Sequence, residues 1–193
     1  MQGYIQVYTG NGKGKTTAAI GLAIRALGAG KRILFLQFMK SKVYSEHAIL
    51  ETLSTNLTLE TTGKPFFIVK EGMLSKAELA KWGDDVVVFP PGKPPADYLA
   101  LMKAGVARAK EAVSSGAYDI VILDEINVAL FFGLIPLCDV QEVLASKLPT
   151  VEVVLTGRGA PPEIIDRADL VTEMQEVKHY YTKGIEARIG IEN

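Results

Sequence analysis

The stretch Thr9-Gly10-Asn11-Gly12-Lys13-Gly14-Lys15-Thr16 sets alternating glycines inside a basic, polar octet, which neither a strand nor a helix interior accommodates well. It reads as a loop. Before it, Tyr4 to Tyr8 is a short β-rich run; after it, Ile20, Ile24 and Leu27 recur at helical spacing until Gly28 and Gly30. A strand, a glycine loop and a helix in that order turn successive backbone N–H groups, and the positive end of the helix, toward an anion. The residue types fit a phosphate-binding loop. Glycines let the backbone close on phosphate oxygens, Lys15 reaches the outer phosphates, and Thr16 offers a hydroxyl to a magnesium ion. The usual pattern puts a glycine five residues before Gly14; that place is Thr9, with glycine one step later at Gly10, so this loop is a variant.

Arg32 to Phe38 is nearly continuously apolar, as expected for a strand covered on both faces, and completes a βαβ opening. Leu57 to Thr61 and Val86 to Phe89 read as short strands, but Gly63, Pro65, Pro90, Pro91, Gly92, Pro94 and Pro95 interrupt them. We therefore expect one P-loop ATP-binding domain over 1–193 with an irregular, elaborated segment at about 43–95. Leu99, Met102, Val106, Ala109 and Val113 predict an amphipathic helix ending at Gly116. Ile120 to Leu123 predicts a buried strand closed by Asp124 and Glu125. Asp139 and Glu142 resemble a capping box, Val151 to Leu155 a strand, Glu163 to Ala168 a short helix and Leu170 to Thr172 a last core strand. The class is α/β, with a mostly parallel central sheet and helices on both faces, P-loop NTPase-like and RecA-like. Ligands in such sheets bind at the carboxyl ends of the strands, where the glycine loop, Asp124 and Arg158 fall.

Charge and composition narrow the partners. The 21 Lys+Arg against 22 Asp+Glu leave a net charge of -1, so no overall field draws the chain to nucleic acid, and no basic patch carries interleaved aromatics. No apolar run approaches the roughly 18 residues of a membrane span. One cysteine, Cys138, excludes an internal disulfide, and no signal-like segment precedes the first strand, so a cytoplasmic protein is expected.

Thr17 either meets a phosphate or lies in the first helical turn, and Lys13 either contacts phosphate or is solvated. Four apolar residues before Asp124-Glu125 suit the acid that positions metal or water in P-loop proteins; spacing does not decide which of the two touches the metal. Arg158, between Gly157 and Gly159, is exposed to an approaching anion. Arg25 lies off the apolar stripe and reads as a surface residue. His47 and His179 lack ligand-spaced partners and are read as structural, and Cys138 as a small buried apolar residue.

The run Thr9 to Ala19, with Gln37-Phe38, Leu123-Asp124-Glu125, Thr156-Gly157-Arg158-Gly159 and Val177-Lys178-His179, resembles the ATP:corrinoid adenosyltransferases of the CobA/BtuR type. That resemblance implies transfer of the 5′-deoxyadenosyl group of ATP to the cobalt(I) of a corrinoid, cobalamin or a precursor, with release of triphosphate. It implies a homodimer, magnesium, and a reductant or reductase supplying cobalt(I). By position, Gly10, Asn11, Gly12, Lys13, Gly14, Lys15, Thr16 and Thr17 would bind the ATP phosphates, and Arg25 and Arg158 would be anion-side contacts. Lys15 and Glu125 would be the catalytic pair; Thr16 and Glu125, or Asp124, would hold magnesium. Relatives exclude the lower axial cobalt ligand with aromatic residues soon after the position of Thr62-Gly63; here only Phe66 and Phe67 stand there. Two rivals remain at this stage: a P-loop ATPase or small-molecule kinase, in which the γ-phosphoryl group moves, and an ATP-gated binding module without turnover.

Overall fold

The computed structural model describes residues 2–41, 44–76, 79–80 and 86–192. Val43 and residues 77–78 and 81–85, which belong to the segment expected to be irregular, lie outside the described residues. Strands β1 (Ile5–Thr9), β2 (Ile33–Phe38), β3 (Leu57–Thr62), β6 (Ile120–Asp124), β7 (Glu152–Thr156) and β8 (Leu170–Glu173) form one sheet in the order β3-β2-β6-β7-β1-β8, with every neighbouring pair parallel. β4 (Phe67–Lys70) and β5 (Val86–Phe89) pair with each other, also in parallel, as a separate two-stranded sheet. The helices are α1 (Lys15–Gly28), α2 (Ser45–Leu53), α3 (Ala96–Ser115), α4 (Ile126–Phe131), α5 (Leu137–Ala145) and α6 (Pro162–Ile165).

All six residues of β2 are buried, and alternate side chains enter opposite cores. Leu34, Leu36 and Phe38 join Met102, Val106 and Ala109 of α3 and Val140 and Val143 of α5. Ile33 and Phe35 face Ala19, Ala23 and Ala26 of α1 and Leu50 of α2. The helix α3 buries Met102, Val106, Ala109 and Val113 as its spacing predicts, and ends at Gly116 with φ 72°.

Four expectations are corrected. The buried stripe of α1 is Ala19, Ala23 and Ala26, while Ile24 is 53% exposed. Small side chains let the helix approach the sheet closely, which the larger isoleucine face does not permit. Cys138 is exposed, because the inner face of α5 is taken by Val140, Val143 and Leu144. The same helix begins at Leu137 with Pro136 as its N-cap, so Asp139 sits inside the first turn and no capping box forms. The last strand is present, but as an edge: β8 has only β1 beside it, and all four of its residues are exposed. Among the described residues no helix is long and apolar enough to cross a membrane.

Candidate functional site

The four adjacent strands β2, β6, β7 and β1 end together, and their register lines up the site. Gln37 pairs with Asp124 across β2 and β6, Leu123 with Leu155 across β6 and β7, and Tyr8 with Thr156 across β1 and β7. Gln37, Asp124 and Thr156 therefore stand side by side, one step from the glycine loop.

The loop runs from the end of β1 into α1. Gly10 takes φ 93° and Gly14 φ 115°, conformations that L side chains seldom adopt. A Cβ on Gly10 would lie 2.4 Å from the Met174 carbonyl oxygen, and one on Gly12 2.8 Å from the Gln175 backbone. The segment after β8 thus backs the loop, and the Gly12 N–H donates to the Met174 oxygen at 2.6 Å. This explains the variant pattern. Thr9 is still strand, and its buried Oγ1 accepts the Ala160 N–H at 3.3 Å; the chain needs glycine only at the next residue.

Lys15 is buried, and its Nζ donates to the Gly10 and Gly12 carbonyl oxygens at 2.8 and 2.7 Å. Burial, and then the positive charge of Arg158, lower its pKa against the opposing pull of Glu125 and Asp124. Thr16 Oγ1 donates to Asp124 Oδ1 at 2.9 Å, and Thr156 Oγ1 to the same oxygen at 2.6 Å. The other carboxylate oxygen, Oδ2, accepts from Gln37 Nε2 at 3.0 Å and Lys40 Nζ at 3.1 Å. Gln37 in turn meets His47 Nε2 through Oε1 at 2.5 Å. Asp124 is fully buried and has both oxygens doubly engaged.

Glu125 differs from Asp124 in each respect. It takes φ 62°, one of two positive values among the described non-glycine residues, and so turns the chain from β6 into α4. Its backbone N–H donates to Thr156 Oγ1 at 3.0 Å, leaving the side chain to line the cavity over the loop. Burial, and then the neighbouring Asp124, raise its pKa, although Lys40, Lys15 and Arg158 pull the other way.

That cavity, of about 780 Å³, is lined by Gly12 to Thr17, Lys40, Tyr44, Glu125, Arg158 and His179, and by Glu192 of the C-terminal segment. Its size is that of a small-molecule site. Arg158 is exposed between Gly157 (φ 126°) and Gly159 (φ 67°), and its guanidinium makes no hydrogen bond or ion pair among the described residues. A Cβ on Gly157 would sit 2.9 Å from the Val128 nitrogen, so glycine is required there too. Lys13 turns to the C-terminal segment, donating to the Ile191 carbonyl at 2.8 Å and Glu192 at 3.1 Å. His179 caps the 3₁₀ turn Tyr180–Lys183 by accepting the Tyr181 N–H at 3.1 Å.

Two groups of expected site residues stand apart. Arg25 is exposed in the last turn of α1, outside the cavity lining. Phe66 packs on Tyr98 with centroids 6.2 Å apart, Phe67 is 47% exposed on β4, and neither lines the cavity. Sequence reasoning did not find Lys40, Tyr44, Thr156 or the carboxylate of Glu192. Lys40 directly follows Gln37-Phe38-Met39, which was the available signal.

Thr16, Asp124 and Glu125 together supply only oxygen donors, as a hard cation such as magnesium requires, and an ammonium group already lies against two of them. The donor set fits that ion.

Comparison with known proteins covers the whole chain. The family described as ATP:corrinoid adenosyltransferase BtuR/CobO/CobP matches residues 1–193. The corrinoid adenosyltransferase of Escherichia coli K12 is 31% identical over 192 residues, which is 99% of this chain and 86% of that protein. Corrinoid adenosyltransferase CobA of Salmonella typhimurium LT2 gives the same identity and coverage. The corrinoid adenosyltransferase of Pseudomonas aeruginosa PAO1 is 33% identical over 99% of this chain and 84% of its own length. With its glycine loop, acidic strand end and glycine-flanked arginine on one cavity, this chain belongs to the ATP:corrinoid adenosyltransferase family.

Proposed function

We propose that this protein transfers the 5′-deoxyadenosyl group of ATP to the cobalt(I) of a corrinoid and releases triphosphate. One observation carries the reading: a single cavity holds the phosphate loop, Glu125 and Arg158 at once, in a chain matched end to end by the family. Cobalt(I) is the nucleophile and attacks C5′ of ATP. The C5′–O bond breaks, and its electron pair leaves with the triphosphate. No protein nucleophile is required, and the polypeptide's work is positioning and charge stabilisation.

Lys15 and the backbone N–H groups of the loop, other than that of Gly12, which is given to the Met174 oxygen, would meet the negative charge that grows on the leaving group. Bound magnesium would neutralise part of that charge. Thr16 and Glu125 are the residues that would hold it, since the oxygens of Asp124 are committed to Thr16, Thr156, Gln37 and Lys40. Asp124 then orients the hydroxyl of Thr16 rather than binding the ion directly. Arg158, which lines the same cavity, would meet the phosphates, whereas Arg25 lies outside that lining and is an anion contact only as the resemblance implies. Phe66 and Phe67 are the aromatic candidates on the corrinoid side. A homodimer, a reductant supplying cobalt(I) and a cytoplasmic location complete the reading.

The test is an anaerobic reaction of the protein with ATP, magnesium and chemically reduced cob(I)alamin. A light-sensitive adenosylcobalt spectrum with one triphosphate per turnover is expected; ADP as the product overturns the reading in favour of phosphoryl transfer.

A further inference from the structure

Lys40 is delivered into the site by a strained turn. After β2 the chain takes φ 60° at Met39, the other positive value among the described non-glycine residues. The Met39 N–H donates to the Thr62 oxygen at 3.3 Å, and the Lys40 backbone lies so close to Gly63 that a Cβ there would be 2.4 Å from the Lys40 nitrogen. The turn is therefore held from outside. It sends Nζ to 3.1 Å from Asp124 Oδ2 and 3.5 Å from Thr16 Oγ1, with the Tyr44 ring centroid 4.9 Å away. The side chain is 12% exposed and that of Asp124 fully buried.

An ammonium thus touches Thr16 and Asp124, the hydroxyl assigned to the metal and the carboxylate that orients it. A divalent ion entering beside Thr16 meets a like charge within a few ångströms, a strong repulsion in a site screened from water. One of the two cations must yield. The metal would be held by ATP and Glu125, whereas Lys40 swings on a four-carbon stem. The same cavity that receives the phosphates is lined by Lys40, so the displaced ammonium has an anion to meet.

We propose that Lys40 is a tethered cation that holds the metal's place in the nucleotide-free protein and transfers to the ATP phosphates when the metal enters. The proposal rests on the magnesium–ATP reading above. It makes Lys40 a positioning residue that suppresses metal binding before nucleotide arrives and so orders the assembly of the site.

The experiment uses Mn²⁺ as the probe, measured by electron paramagnetic resonance on the full chain, wild type against Lys40→Met and Lys40→Arg. Without nucleotide, Lys40→Met should bind Mn²⁺ at least about tenfold tighter than wild type, with Lys40→Arg near wild type. Calorimetric titration of ATP with Mg²⁺ present should show Lys40→Met about tenfold weaker than wild type, since a phosphate partner is gone, whereas in EDTA, where the ammonium stays on Asp124, the two should bind ATP alike. Thermal unfolding guards against a folding defect: Mn²⁺ alone should raise the midpoint of Lys40→Met more than that of wild type. Equal Mn²⁺ affinity and equal thermal response in wild type and Lys40→Met overturn the proposal while leaving the metal–ATP reading intact. Failure of wild type to bind Mn²⁺ even with ATP present overturns the metal reading itself, and the proposal with it.

Discussion

Two regions of this chain are built differently. At the glycine loop and the strand ends beside it, backbone lies on backbone: Gly10, Gly12 and Gly157 have no room for a Cβ, and Asp124 is buried with its hydrogen bonds filled. Around β4 and β5 the opposite holds. Phe67, Met73 and Val88 are 47, 46 and 42% exposed, and the positive-φ glycines Gly72 and Gly92 have nothing within 4 Å of an added Cβ. A triphosphate presents fixed charges that reward preorganised donors, and apolar exposed surface is what a large ring ligand can cover. Rigid and specific on one side, open on the other, the molecule invites substitutions that should separate the two.

The largest effect belongs to Lys15. Lys15→Ala should lower adenosyl transfer by about 10²- to 10³-fold, as expected when a preorganised charge contact to the transition state is lost. Steady-state turnover with reduced corrinoid measures it, and near-normal turnover would remove the loop from the mechanism. Next comes a matched pair of glycines. Gly10→Ala combines φ 93° with a 2.4 Å approach to the Met174 oxygen and should cost about 3 kcal/mol. Gly92→Ala meets only its φ of 73°, and should cost about 1 kcal/mol. Urea unfolding of both compares them directly; equal costs would mean that the loop is not the stiffer region.

The same contrast decides what the sequence could reveal. The glycine loop, Asp124-Glu125 and Arg158 could be picked out as candidates because each lies in a short contiguous motif whose chemistry is local. β2 was legible because burial on both faces leaves an unbroken apolar run. Ile24 misled because hydrophobicity ranks isoleucine above alanine, whereas a helix lying close on a sheet selects Ala19, Ala23 and Ala26. Lys40 and Thr156 reach Asp124 only because β2, β6 and β7 are neighbours, and strand order is not written in any local window. The pairing of β4 with β5 joins strands separated by a glycine- and charge-rich stretch, so it too is a tertiary fact.

A smaller effect lies in the acidity of Glu125. Its folded-state pKa is raised above the ordinary 4.5, by burial first and Asp124 second. A raised carboxyl favours the folded state fully while protonated, below the unfolded value, and that contribution is lost as pH rises through the folded value. Glu125→Gln does not titrate. Measured in magnesium-free buffer, its stability relative to wild type should therefore increase from acid pH toward neutral pH and then level off. Urea unfolding at a series of pH values reads this, and a pH-independent difference would contradict the assigned burial. The variant should lose turnover even as it gains stability, as is usual where a site holds charge for function.

The smallest effect on the fold, and the sharpest on the comparison, is expected at Phe67. The side chain is 47% exposed on a strand of the small sheet, so Phe67→Ala should shift unfolding by no more than about 0.5 kcal/mol. Phe66→Ala serves as its neighbour control: that ring packs on Tyr98 and against the main core, and its loss should cost about 1 to 3 kcal/mol. If the open region meets the corrinoid, Phe67→Ala raises KM for the corrinoid and leaves KM for ATP unchanged, because its ring is outside the cavity over the loop. A rise in KM for ATP alone would place the ring's influence at the phosphate end and erase the division between the two regions. Unchanged constants for both substrates would leave the exposed face of β4 without a part in the reaction, and move the search for the corrinoid contact to Phe131. That ring is 55% exposed beside Gly159, with Lys70 Nζ 5.2 Å from its centroid.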